Sequence, residues 1–117
     1  MSEARAGAGT RSIERTEWSA WCASCTAAQS GRVLTLSFID AALGEVELAS
    51  EQPLLAIDYD ELGSSVAFTI RYGTGVVPIN YVIAEPRIVT EEFGSDDRVA
   101  RLVIEDKTRR RTFVALG

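Results

Sequence analysis

The sequence predicts an α+β domain, with an N-terminal helix packed on a bent antiparallel sheet or small β-barrel of about 6–8 strands. Two observations carry that prediction. Between Glu17 and Cys25 the bulky apolar residues recur at helical spacing, so that Trp18, Trp21, Cys22 and Cys25 share one face and Ala28 extends the row. After Gly31 apolar and polar residues alternate with period two, in segments parted by Gly, Pro, Ser and Asp at intervals of about 8 to 12 residues.

Residues 1–11 are rich in small side chains and hold no continuous apolar run, which reads as a flexible leader rather than a secretory signal and leaves residues 12–117 as a single globular domain. Ser12 or Thr16 is suited to cap the helix, since either hydroxyl can accept a bond from a first-turn amide, and Ile13 stands where a hydrophobic staple would pack. Gln29-Ser30-Gly31 ends the helix, the glycine being free to take the left-handed conformation that other residues avoid.

In the first strand Leu34, Leu36 and Phe38 alternate with Thr35 and Ser37. Ala41 to Gly44 turns the chain into Glu45-Val46-Glu47-Leu48, with Val46 and Leu48 expected to face inward. Pro53 lacks an amide proton and is expected to break the ladder. Leu55, Ile57 and Tyr59 then alternate with Ala56, Asp58 and Asp60, and Leu62 to Ser65 turns toward Val66, Phe68, Ile70 and Tyr72. Beyond Gly73-Thr74-Gly75 and Pro78, Ile79, Tyr81 and Ile83 carry another strand. Pro86 interrupts again, leaving Arg87 to Phe93 as a separate strand or a bent continuation. After the loop Gly94 to Asp97, Ala100, Leu102 and Ile104 pair with Thr112 to Leu116 across a basic hairpin tip.

Of the 117 residues 46% are apolar and 25% charged, a globular composition, and no apolar run approaches the roughly 18 to 20 residues of a membrane span. A soluble, cytoplasmic protein is expected, with its two cysteines reduced. Histidine is absent, which removes the commonest proton-transfer group and the commonest nitrogen ligand for zinc. Residues 1–32 carry four Arg against three Glu, residues 33–97 two Arg against twelve acids, and residues 98–117 six basic residues against two acids, giving a net −5. The acidic middle disfavours nucleic acid as a partner unless the C-terminal basic residues form a separate patch.

Four constellations could carry chemistry. Trp21-Cys22-Ala23-Ser24-Cys25 matches Trp-Cys-x-x-Cys, but the residues before it are already helical and both thiols share the tryptophan face, so Cys22 and Cys25 read as packing residues rather than a redox pair. Zinc would require two further soft ligands, and no metal or cofactor is expected. Asp58 and Asp60 lie on one strand face roughly 7 Å apart, and beside Tyr59, Tyr72 or Tyr81 they could line a barrel mouth that binds a small molecule or performs acid chemistry. Gly73-Thr74-Gly75 lacks a following helix and reads as a turn rather than a phosphate loop, while Glu91-Glu92 and Asp96-Asp97 read as ordinary edge and turn residues. Arg109, Arg110 and Arg111, with Lys107, form a cluster that could contact nucleic acid or an acidic partner, or simply blunt an exposed edge.

Ile13, Glu17-Trp18, Trp21, Gly31 before the first strand, Tyr81-x-Ile83-x-x-Pro86, and Leu102-x-Ile104-Glu105-x-Lys107 ahead of a strand with Thr112 and Phe113 resemble a bacterial domain-of-unknown-function family, number five-three-three-five. The resemblance spans nearly the whole chain after residue 12 and rests on packing and turn positions. The family pattern commonly has histidines where this chain has Gln29 and Tyr81, and a glycine where it has Lys107. What the resemblance implies is an architecture and no activity. The expected function is a non-catalytic binding or protein-interaction module, homodimeric through an edge strand or apolar strip or bound to another protein. The barrel-mouth and nucleic-acid readings are its alternatives.

Overall fold

A computed structural model describes residues 9–117, and the leader expected over residues 1–11 lies outside the described residues up to residue 8. Thr10 and Arg11 join Ser12 in a short strand, β1 (Thr10–Ser12), which pairs with β6 (Pro86–Phe93) further along the chain. A 3-10 turn (Arg15–Glu17) leads into α1 (Trp18–Gln29), followed by β2 (Val33–Asp40), β3 (Gly44–Leu62), β4 (Ser65–Tyr72), β5 (Ile79–Ala84), β6, β7 (Val99–Asp106) and β8 (Arg111–Leu116). The fold is α+β: the eight strands form one antiparallel sheet in the order β1-β6-β7-β8-β2-β3-β4-β5. The sheet is strongly bent but open, with β1 and β5 as its two ends. Among the described residues no helix is long and apolar enough to cross a membrane.

The helix forms where the spacing places it, but its entry differs from expectation. Neither Ser12 nor Thr16 caps it, because Ser12 is committed to β1 and Thr16 to the 3-10 turn; Glu17 occupies the cap position without a side-chain hydrogen bond. The turn itself holds the entry, with the Glu17 amide donating to the Glu14 carbonyl at 2.9 Å. Trp18 is 1% exposed, its indole N–H donating to the Ile13 carbonyl at 3.1 Å and its ring meeting Phe68 edge-on at 5.2 Å. Trp21, Cys22 and Cys25 complete the buried face. Gly31 leaves the helix at φ +91°, where an L side chain would be strained.

Two corners bend the sheet, and both carry a proline: the sequence reading takes Pro53 as a break in the ladder and Pro86 as an interruption before a separate strand or a bent continuation. Pro53 does not end its strand: β3 runs through it, pairing with β2 as far as Pro53 and with β4 from Leu54 onward, and turns at Glu51, which adopts φ 54°. An irregularity between Leu54 and Ala56 reverses the phase of the strand, so Leu54 is fully buried while Leu55, expected inside, is 40% exposed. Pairing irregularities beside Leu36 act likewise on the facing part of β3, where Ala49 packs on the core and Leu48 is exposed. At the second corner β5 continues into β6 through the single residue Glu85, at φ 51°, whose amide donates to the Val66 carbonyl at 2.9 Å and whose carbonyl accepts from the Lys107 amide at 3.0 Å.

Once β3 has left β2, its free edge needs another partner, and α1 supplies it. The Thr26 hydroxyl donates to the Ile57 carbonyl at 3.1 Å and accepts from the Ile57 amide at 2.9 Å. Gly31 N–H donates to the Leu54 carbonyl, and Leu54 N–H to the Arg32 carbonyl. The helix thus stands where a neighbouring strand would stand, and the apolar face it presents fills the space between the two limbs of the sheet. Arg32 locks this junction to the C-terminus, donating to the side-chain oxygen of Gln29 and to the carbonyls of Val99, Leu116 and Gly117.

Candidate functional site

The two ends of the sheet are chemically unlike. β1 exposes Thr10, Arg11 and Ser12, a short, polar, charged edge of the kind that resists pairing with another chain. β5 offers the opposite. No acidic or basic residue occurs between Arg71 and Glu85. Register with β4 sets Ile79, Tyr81 and Ile83 opposite Tyr72, Ile70 and Phe68 on the inner face, and Asn80, Val82 and Ala84 opposite Arg71, Thr69 and Ala67 on the outer. Ile83 is buried, and Tyr81 is half-buried with its hydroxyl 3.4 Å from that of Thr112 across the core. Ile79, at the start of this terminal strand, is 53% exposed, and Val82 is 58% exposed. Val76 and Val77, in the loop that feeds the strand, are almost fully exposed.

The other residues singled out in the sequence do not converge. Tyr59 is half-buried against Phe68 and donates to Glu61 at 3.1 Å; desolvation, with that hydrogen bond, raises its pKa. Tyr72 is buried in the core and Tyr81 reaches Thr112, so the three phenols occupy separate positions along the inner face. Asp58 and Tyr59 border a shallow depression of about 270 Å³ with Ser19, Cys22 and Thr26, to which Tyr72 and Tyr81 do not contribute. Asp58 is paired with Arg71 at 2.9 Å, and Asp60 is exposed.

The basic hairpin tip is divided in the same way. Arg110 donates to Asp40 at 3.1 Å and lies over the Phe38 ring at 4.2 Å, Arg111 donates to Glu105 at 3.3 Å, and Arg109 is exposed at φ 71°. Asp40 is held below the usual carboxylate range by the Ala42 amide, by Arg110 and by the Leu43 amide. Cys22 and Cys25 are free, buried thiols, each pushed up to about 12, chiefly by desolvation, with added repulsion between the two at Cys22 and from Glu91 at Cys25.

One buried acid was passed over in the sequence. Glu91 is 7% exposed and accepts from the Trp21 indole at 3.0 Å, with Arg11 at 3.8 Å. It borders a groove of about 380 Å³ between α1 and β1, with Trp21, Cys25, Gln29 and Arg11. The signal was present: Glu91 shares strand parity with Val89, which is 1% exposed, so the alternation itself turns this carboxylate inward. Among the described residues no group of three His, Cys, Asp or Glu side chains is arranged to hold a metal ion.

No curated protein and no solved structure matches the chain. The sequence model of one family covers residues 9–117, from β1 to the C-terminus, and therefore takes in both sheet ends, both corners and the tryptophan face. By that match the chain belongs to the family of unknown function DUF5335.

Proposed function

We propose that this domain is a non-catalytic interaction module that self-associates by pairing β5 with β5 of a second copy. The observation that carries the reading is the uncharged, apolar open edge: Ile79 and Val82 exposed on opposite faces of a terminal strand, with Val76 and Val77 beside them. An edge of this kind leaves a row of backbone amides and carbonyls ready for another strand, and it lacks the charges and prolines that usually deter one. Self-pairing is favoured because an antiparallel two-fold centred on Val82 sets Val82 against its own copy, Tyr81 against Ile83 and Asn80 against Ala84, each pair on one face of the joined sheet, with no like charges opposed. Much of the ionisable chemistry the chain offers is engaged in ion pairs, Asp58 with Arg71, Arg110 with Asp40 and Arg111 with Glu105, which weighs toward binding and away from catalysis or phosphate-backbone contact.

Sedimentation equilibrium tests the reading. The wild-type chain is expected to dimerise in the micromolar range, and Val82→Lys, on the solvent side of the strand, to be monomeric, with a thermal melt that matches wild type at protein concentrations too low for dimerisation. A wild-type chain that stays monomeric at several hundred micromolar, or a Val82→Lys variant that dimerises as well as wild type, contradicts it.

A further inference from the structure

The corner between β5 and β6 gathers side chains from four separate parts of the chain around a cleft of about 600 Å³. Arg15 comes from the 3-10 turn, Ser64 and Ser65 from the β3–β4 turn, Glu85 and Arg87 from the corner itself, and Lys107 from the β7–β8 hairpin. Three cations therefore face one carboxylate, in a molecule whose net charge is −5. That carboxylate is already committed: Glu85 pairs with Lys107 at 2.7 Å. Among the described residues Arg15 and Arg87 have no acidic partner, and the Arg15 guanidinium is steadied 5.0 Å from the centre of the Trp18 ring. The backbone here is set by the fold, since Glu85 is fixed by hydrogen bonds to both limbs of the sheet and Gly63 takes the left-handed conformation at φ 65° that the β3–β4 turn requires.

We infer that this cleft binds the phosphate group of a small phosphorylated molecule, with Arg15 and Arg87 gripping the phosphate oxygens and the Ser64 and Ser65 hydroxyls donating to them. Guanidinium groups match phosphate in geometry as well as charge, and two that line one cleft without an acidic partner among the described residues can each supply a forked pair of donors. The volume lies within the roughly 300 to 1,000 Å³ typical of small-ligand sites. The Glu85–Lys107 pair also lines the cleft and would meet the hydroxyls of an organic portion. This inference goes beyond self-association, for it uses none of the exposed residues of β5.

The test is a titration of 15N-labelled wild-type protein with inorganic phosphate, pyrophosphate and glucose 6-phosphate, with potassium chloride at matched ionic strength as the reference. Saturable amide shifts centred on Ser64, Ser65 and Arg87 are expected, and at least about tenfold weaker binding in Arg15→Gln/Arg87→Gln, as loss of two charge-assisted contacts implies. Stronger binding of glucose 6-phosphate than of inorganic phosphate would assign the site to a phosphomonoester, and the reverse to free phosphate. Arg87→Gln alone, which leaves the Arg15–Trp18 stack in place, is expected to weaken binding if the double variant is unfolded. Shifts that fail to saturate, that chloride reproduces, or that persist unchanged in Arg87→Gln overturn the inference.

Discussion

Trp21 and Glu91 form the most exacting contact at the scale of single residues. A carboxylate with 7% exposure needs partners, and the indole N–H at 3.0 Å supplies one while the Arg11 guanidinium, at 3.8 Å, supplies charge. Trp21→Phe keeps most of the apolar bulk but leaves Glu91 short of a donor, at a cost of about 1–3 kcal/mol. In a Glu91→Leu background the same substitution is expected to cost at least about 1 kcal/mol less, a coupling that urea denaturation of the four proteins measures directly; additive effects would mean that the hydrogen bond contributes nothing. The thiols make a second residue-scale prediction. Cys22 and Cys25 titrate near 12 in the folded chain against an ordinary 9.0, so the native state holds their protons longer than the unfolded one. Their contribution to stability is complete below pH 9 and is lost as pH rises through 12, and replacing both by Ala is expected to flatten the alkaline decline of stability over that window. For the same reason native protein is expected to resist iodoacetamide at pH 8 and to react fully once denatured. The tryptophan face is legible because helical spacing alone places two indoles and two thiols together. Glu91 was not read as internal because its neighbour Glu92 made the pair look like solvent-facing charge, although Glu92 points outward to Arg101 and only Glu91 shares parity with Val89.

For the elements, the chain's prolines carry the main lesson. Period-two alternation marks most of the strand segments from β2 to β8, yet the reading of Pro53 as a break fails because β3 runs on through it, whereas the interruption expected at Pro86 is the corner between β5 and β6. A missing amide proton signals that one ladder bond cannot form, and it is silent on whether the strand resumes against a new neighbour. Single-residue irregularities have the same effect on side-chain direction: the bulge at Leu54–Ala56 exchanges the fates of Leu54 and Leu55 without altering composition or local alternation. The docking of α1 on β3 could not be read at all, since it depends on a threonine hydroxyl meeting both backbone groups of a residue 31 positions away. Thr26→Val, which preserves shape but removes the hydroxyl, is expected to destabilise the fold by about 1–3 kcal/mol, whereas Thr26→Ser restores most of the loss. Equal stability of the Val and Ser variants in chemical denaturation would show that the helix is held by apolar packing alone.

Over the whole molecule, the asymmetry between the two ends of the sheet matters most. Strand order is set by the non-local pairing of β1 with β6 and of β2 with β8, so nothing in the local rhythm of the sequence reveals that Ile79 to Ala84 is a terminal strand. The same silence leaves Tyr59, Tyr72 and Tyr81 as alternatives, in the sequence, for a barrel mouth beside Asp58 or Asp60. The expected homodimer through an edge strand had a physical basis, but only the topology identifies which edge is polar and which is apolar. Amide hydrogen exchange along β5, followed as a function of protein concentration, tests the account most directly. Alternate amides of this strand bond to β4 and should be protected at any concentration, while those between them face the open edge. Protection of the second set is expected to rise steeply from low to high micromolar protein and to vanish in Val82→Lys. Rapid exchange of those amides at every concentration would contradict pairing of β5 with a second copy.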